Sequence, residues 1–251
     1  MAKQTGIIKL KGTIGGISFY KTSDGHLARE KGGPDANRIA NDPAFQRTRE
    51  NGSEFGRAGK GGKLLRIALR NMMQNASDKR VTSRLTKKLV SVVQTDAVND
   101  RGNRTIQDGD LSLLSGFEFN INGKLASVFF PAYTSAIDRV AGTAVVNLPA
   151  IAPVNDIVAP GGTTHFRISV GGAEVDFATE THVFANEASA ILPWDGATVP
   201  AAALTANLTP NSVLPIVQVI EVEFFQEVNG QMYSLKNGAY NALGVVAIDT
   251  P

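Results

Sequence analysis

Side chains that could carry acid–base or metal chemistry are sparse in this sequence. Its three histidines, His26, His165 and His182, stand far apart in the chain. No cysteine is present, which excludes disulfides, cysteine-ligated zinc, iron–sulfur clusters and thiol catalysis. We therefore expect neither a metal site nor a cofactor, and we expect the histidines to be structural or exposed.

Two carboxylate pairs could in principle supply a general acid and a general base. Glu221 and Glu223 are two residues apart in a strand-like run, and Glu174 and Asp176 have the same spacing. Side chains two apart on a strand share one face. Acid–base work needs opposed carboxylates, which one strand cannot supply. No G-x-S-x-G elbow occurs either. We expect an exposed or subunit-facing sheet surface here, and no enzyme.

The glycine-rich stretch 56–63 invites comparison with phosphate-binding loops. Lys63 is followed by Leu64, where the phosphate loop requires Ser or Thr, and no apolar strand precedes the stretch. The G-x-G-x-x-G spacing fails as well, because Leu64 stands where its third glycine belongs. The glycines instead predict a flexible break in a helix, since each weakens a helix by up to about 1 kcal/mol.

Clustered basic residues are the sharpest signal in the chain. Residues 1–110 hold 21 of the 25 Lys and Arg but 11 of the 23 Asp and Glu, so the two halves carry opposite net charge. Such a division suggests a polyanionic partner for the basic half, or a second copy of the same chain. The basic candidates for either contact are Lys9, Lys11, Arg47, Arg49, Arg57, Lys60, Lys63, Arg66, Arg70, Arg80, Arg84, Lys87 and Lys88.

The elements that must position these residues fall into three zones. Residues 6–31 predict short strands, with a hairpin turn at 22–25. Residues 42–98 predict basic helices. The first begins at Asp42-Pro43 and breaks near Gly59–Gly62, a firmer helix follows over 64–73, and Ser77-Asp78 caps a further one. The apolar positions of the last helix are Val81, Leu85, Leu89, Val92 and Val93.

Residues 111–251 contain few charged residues and read as strands separated by Pro, Gly and Asn. Two-residue turns are predicted at Asn122-Gly123, Gly171-Gly172 and Asn229-Gly230. Such a pattern favours an antiparallel β-sandwich. The predicted strands are 117–121, 124–130, 143–148, 165–170, 173–177, 181–185, 213–228, 231–235 and 243–248.

The opening of the chain resembles that of uncharacterised proteins from Bacteroidota. The resemblance is carried by the blocks Gly15-Gly16-Ile17-Ser18-Phe19-Tyr20-Lys21, Arg29-Glu30-Lys31-Gly32-Gly33 and Asp42-Pro43-Ala44-Phe45-Gln46-Arg47-Thr48-Arg49-Glu50-Asn51. It covers about the first 70 residues. It implies a bacterial source and a β-rich C-terminal part, and it supplies no activity and no site residue.

Together these patterns predict an α+β protein with a basic β-ribbon and helical region at 1–110 and an acidic, charge-poor β-sandwich at 111–251. The leading hypothesis is a structural subunit that assembles with its own copies into a filament, tube or shell. In it, Lys9, Lys11, Arg47, Arg49 and Arg57 dock on an acidic face formed by Glu221, Glu223 and Glu227. The alternative is a nucleic-acid-binding protein that uses the basic helices, with the sandwich as a dimerisation or partner module.

The sequence also bears on location. It has no run of about 18 apolar residues and no apolar stretch near Met1 long enough for a secretory signal. We therefore expect no membrane span, no small-molecule substrate, and residence in the cytoplasm by default. Incorporation into an extracellular or phage-like particle stays open.

Overall fold

The structure is a computed structural model that describes residues 1–30, 32–235 and 240–251. It divides into two compact units, Met1–Arg49 and Glu50–Pro251. The boundary expected after residue 110 lies inside the second unit. The basic helices after residue 50 share a hydrophobic core with the strands of the second half, which is why the division falls earlier.

The first unit is built around a small antiparallel sheet of four strands, β1 (Ala2–Lys3), β2 (Gly12–Ile14), β3 (Ile17–Thr22) and β4 (Gly25–Glu30). Their order in the sheet is β1-β4-β3-β2. The turn predicted at 22–25 joins β3 to β4, and Gly25 supplies a φ of +112°. Lys31, which the sequence places at the end of the returning strand, lies outside the described residues. The unit also contains helix α1 (Ala36–Asn41).

The helical start at Asp42-Pro43 is confirmed. The Asp42 carboxylate accepts a hydrogen bond from the Ala44 backbone amide, and a 3₁₀ turn over Pro43–Phe45 leads into the long helix. That helix, α2 (Gln46–Ala68), is followed by α3 (Arg70–Met73) and α4 (Val81–Thr95). The five apolar positions predicted for α4 are all buried.

The break predicted near Gly59–Gly62 is wrong, because α2 is continuous through these glycines. Gly61 and Gly62 are buried where neighbouring side chains come close to the helix backbone. A Cβ at Gly61 would lie 2.2 Å from Ile106 Cδ1, and one at Gly62 would lie 3.4 Å from Leu89 Cδ1. The glycines therefore permit close packing, which offsets their low helix propensity.

The second unit contains two antiparallel sheets. Their strands are β5 (Thr134–Asp138), β6 (Thr143–Leu148), β7 (His165–Asp176), β8 (Thr181–Ala188), β9 (Leu192–Pro193), β10 (Ala202–Asn207), β11 (Ile216–Val228), β12 (Gln231–Ser234) and β13 (Ala242–Asp249). The larger sheet has β11 at its centre, paired along one edge with β7 and along the other with β12 and β13; β8 and β9 pair with the far edge of β7. The smaller sheet has the order β10-β6-β5. Short helical segments cover Leu111–Leu114, α5 (Leu125–Val128) and α6 (Pro153–Asp156).

Of the three predicted two-residue turns, the structure places a hairpin only at Asn229-Gly230, whose φ angles are +52° and +75°. Gly171-Gly172 lies inside the continuous strand β7. A Cβ at Gly171 would lie 2.6 Å from Met72 Sδ, so this glycine allows the helical layer to approach the sheet. Asn122-Gly123 does not join two strands, because the predicted strand after it is helix α5 and the one before it makes only an isolated bridge.

The larger sheet is covered on both faces. Alternation along β11 sends Val217 and Val219 into a core shared with α2 and α4, and Ile220 and Val222 into a core shared with the smaller sheet. The chain is thus a mixture of helix and strand with antiparallel sheets. Within the described residues, no helix is both long and apolar enough to cross a bilayer.

Candidate functional site

The sheet of the first unit has no core of its own. None of the described residues between Met1 and Arg49 is buried, although four strands pair there. Large apolar side chains are exposed instead: 62% of Ile14, 45% of Ile17 and 82% of Ile8 are accessible to solvent. A sheet normally buries one face to offset the entropy lost on ordering.

The two faces of this sheet differ in chemistry. The register pairs Ile14 with Ile17 and Phe19 with Ala28, which places a patch of small and apolar residues on one side. We call this patch the apolar sheet face; it comprises Ala2, Gly12, Ile14, Ile17, Phe19 and Ala28. Lys21, His26 and Glu30 lie on the same side of the sheet. The opposite side carries Lys3, Thr13, Ser18, Tyr20, Leu27 and Arg29. A depression of about 480 Å³ lies on the sheet beside Met1, Ala2 and Ile17.

A second open surface lies between α2 and α4 in the second unit. Here a groove of about 810 Å³, which we call the interhelical groove, is lined by Phe55 and Gly59 from α2 and by one face of α4. Phe55 is 61% exposed. The α4 side presents residues spaced by four, so that one helix face forms the wall. They are Thr82, Thr86, Val90 and Gln94, with Lys79 and Lys87 also lining the groove.

Three of the predicted basic contact residues hold the fold together. Arg49 donates to the carbonyls of Ile39 and Asp42, and Arg57 donates to the carbonyls of Gly102 and Arg104. Arg84 donates to the Glu118 and Phe119 carbonyls and to the Asp78 carboxylate. A guanidinium that satisfies backbone carbonyls is committed to its own chain, which distinguishes these three from the remaining candidates.

The other basic candidates are mostly at the surface. Lys60 pairs with Glu180 at 3.0 Å, Arg66 donates to the Gly62 carbonyl, and Lys9 donates to the Gln4 carbonyl. Lys11 and Arg47 are exposed. Six of the predicted basic contact residues have side chains without a polar partner in the part of the chain that the structure describes: Lys11, Lys63, Arg70, Arg80, Lys87 and Lys88. Five of these six, all but Lys11, lie in or directly beside α2, α3 and α4.

The acidic docking face predicted on β11 is not at the surface. Glu221 is 4% exposed and Glu223 is 1% exposed, and both face the helical layer of the second unit. Alternation along the strand predicts that they share a face, but it does not predict the helices that cover this side of the sheet. Of the three residues, only Glu227, whose side chain is 45% exposed, lies at the surface. The expected location of the face is therefore corrected.

Glu223 has hydrogen-bond partners within this buried cluster, whereas Glu221 has none among the described residues. Glu223 accepts from Arg167 and, through its other oxygen, from Asn75 Nδ2 at 2.5 Å. Glu221 Oε1 has no hydrogen-bond partner. Burial, helped by the negative charge of Glu223, raises the pKa of Glu221 to about 9. Glu221 is therefore a neutral acid at pH 7, beside the Glu223 carboxylate that pairs with Arg167.

Metal chemistry finds no support in the described residues. No group of three or more His, Asp or Glu side chains there has the geometry of a metal site. His165 Nε2 lies 3.9 Å from Glu227 Oε2, and its Nδ1 lies 2.9 Å from Thr164 Oγ1. Glu174, the other candidate acid, accepts from the Thr209 amide and the Ser212 hydroxyl, so it organises a loop.

Sequence reasoning missed both open surfaces. The alternation Ile17-Ser18-Phe19 signals a two-sided strand, but nothing in it shows that the apolar side stays uncovered. Gly59 and Thr86 signal nothing by themselves, since the interhelical groove forms only when α2 and α4 lie side by side. Comparison of the chain with protein-family models, curated proteins and solved structures found no match.

Proposed function

We propose that this chain is a structural subunit that assembles with its own copies, and that the first unit of one copy docks on the second unit of the next. One observation carries the proposal: a four-stranded sheet in which no described residue is buried. Covering its apolar sheet face would remove apolar surface from water, which contributes about 25 cal/mol per Å². A head-to-tail contact of this kind generates rings or filaments.

Charge supports the same arrangement. Residues 1–49 contain nine Lys and Arg against four Asp and Glu, whereas residues 50–251 contain 16 and 19. A basic first unit is attracted to an acidic neighbouring body, which favours the encounter between copies. The exposed carboxylates available on that body include Glu187, Asp195 and Glu227. We further interpret the two antiparallel sheets of the second unit as a β-sandwich.

Edge strands offer a second route to the same contact. β2 and β1 are the edges of the first sheet, and β8 is an edge of the larger sheet with Val183 45% exposed. Unpaired strand edges add strands from other chains readily. Docking by strand addition would also order the segment around Ile7 and Ile8, both of which are more than four-fifths exposed.

Negative-stain electron microscopy of the purified chain tests this proposal, with absorbance at 260 and 280 nm read on the same sample. Regular filaments, tubes or shells with a protein-like absorbance ratio are the expected result. Small single particles at every concentration would overturn it. A salt series separates the two attractions, because charge pairing weakens with salt and apolar docking does not.

Nucleic-acid binding is the second candidate, favoured by the five cations in or beside α2, α3 and α4 that have no partner among the described residues. Lys63 and Arg70 lie about two turns apart on neighbouring helical segments, Arg80 directly precedes α4, and Lys87 lies near the middle of α4. Lysine and arginine contacts to phosphates would give binding that falls steeply with salt. Small particles that copurify with nucleic acid would favour nucleic-acid binding over self-assembly.

A further inference from the structure

The interhelical groove has the form of a site for one more helix. Its α4 wall extends from Thr82 to Gln94, a rise of about 18 Å at 1.5 Å per residue. An added helix of about 12–14 residues matches that length. Gly59 leaves open space on the α2 side, since nothing lies within 4 Å of where its Cβ would be.

The groove combines an apolar floor with unpaired polar groups. Phe55 and Val90 offer apolar surface, and Phe55 is 61% exposed where a folded chain would normally cover an aromatic ring. Thr86 is 9% exposed and its hydroxyl forms no hydrogen bond within the described residues. Lys79 and Lys87 line the same groove, and neither has an anionic partner in the described part of the chain.

We propose that the interhelical groove binds an acidic amphipathic helix of a partner protein. The apolar side of that helix would pack on Phe55 and Val90, in the helix-in-groove mode. Its carboxylates would pair with Lys79 and Lys87, which carry the charge complementarity. Binding here is separate from the proposed self-assembly, because the unit that docks on a neighbouring copy is basic and the groove carries Lys79 and Lys87.

Charge and shape favour an acidic helix of a partner protein over a second copy of this chain and over a nucleic acid. The first unit of a neighbouring copy is basic, so the lysines of the groove would repel it. The described helices of this chain include none that is acidic and amphipathic, so a second copy does not supply the ligand. A nucleic acid would use the lysines but would leave the apolar floor against phosphates and sugars.

The experiment uses the full chain and a fluorescein-labelled synthetic helical peptide of about 14 residues, with leucines at i, i+3 and i+7 and glutamates on the flanks. A second peptide has lysine in place of every glutamate, and a labelled single-stranded oligonucleotide of similar length is the third probe. Fluorescence anisotropy measures all three. The acidic peptide should bind at least about tenfold more tightly than the basic peptide.

Two matched variants locate the binding. Gly59→Leu fills the groove, whereas Gly56→Leu places the same side chain in open space elsewhere on α2. Both substitutions favour the helix, so both variants should fold, which circular dichroism verifies. Gly59→Leu should weaken acidic-peptide binding about tenfold or more while Gly56→Leu leaves it unchanged.

Equal effects of the two variants, or equal affinity for the acidic and basic peptides, would overturn the proposal. Tighter binding of the oligonucleotide than of the acidic peptide, lost on Lys79→Glu and Lys87→Glu substitution, would also overturn it and assign the lysines to phosphates.

Discussion

Arg167 donates from both Nε and Nη2 to one carboxylate oxygen of Glu223, at 3.1 and 2.5 Å. The two residues are directly opposite each other in the β7–β11 ladder. The Glu223 side chain is 2% exposed, while that of Arg167 is 34% exposed and its guanidinium lies 5.3 Å from the centre of the Phe225 ring. This ion pair therefore fastens the sheet under the helical layer, and it makes Glu223 a fold residue.

Removing Arg167 should destabilise the second unit. Arg167→Ala leaves the buried Glu223 carboxylate without its cation, and we expect the free energy of unfolding to fall by about 2–3 kcal/mol. Urea denaturation followed by circular dichroism measures this change in the free energy of unfolding. Lys63→Ala, at an exposed position without a partner in the described residues, is the matched control and should change stability by less than about 0.5 kcal/mol. Equal effects of the two substitutions would show that the pair does not hold the sheet.

Glu221 should make stability depend on pH. Its pKa is raised from the ordinary 4.5 to about 9 by burial, so the folded chain keeps a proton that the unfolded chain has lost. The unfolded state thus binds fewer protons between those values, and the free energy of unfolding decreases as pH rises through that window. Glu221→Gln removes this titration while keeping a neutral amide of similar size.

We therefore expect Glu221→Gln to be more stable than the wild type near pH 8, with the difference shrinking toward about pH 4.5. Urea unfolding of both proteins across this range provides the comparison. Identical pH profiles for the two proteins would mean that Glu221 is ionised in the folded chain.

Close packing at Gly171 yields a third prediction. A Cβ there would lie 2.6 Å from Met72 Sδ, 3.0 Å from Phe184 and 3.0 Å from Val219. Gly171→Ala should therefore overpack the contact between helices and sheet and lower the free energy of unfolding by about 1–3 kcal/mol. Gly161→Ala, with nothing within 4 Å, is the control and should be near neutral. Thermal melts of both variants measure the difference, and a Gly171→Ala variant as stable as the wild type would contradict the close contact with Met72.

The sequence predicted local features better than packing. The Asp42 cap, the apolar face of α4 and the Asn229-Gly230 hairpin depend on neighbours within a few residues, and the structure confirms them. The glycines at 61 and 171 were misread as breaks and turns. Their role depends on Ile106 and Met72, which approach from distant segments.

The residues of the candidate site show the same contrast between local features and long-range packing. Counting charges locates the basic residues along the chain, but it does not separate Arg57 and Arg84, which donate to backbone carbonyls, from Lys87, which has no partner among the described residues. Glu221 and Glu223 were placed on a surface because their covering helices are contributed by a region more than 100 residues earlier.

The most direct test of assembly changes one face of the first sheet at a time. Sedimentation velocity over a concentration series should show the wild type forming large species. Ile14→Asp with Ile17→Asp, on the apolar sheet face, should shift it to monomer. Thr13→Asp with Ser18→Asp adds the same charge to the same strands on the opposite face, and should leave the large species in place. Loss of assembly in both variants, or in neither, would contradict docking through the apolar sheet face.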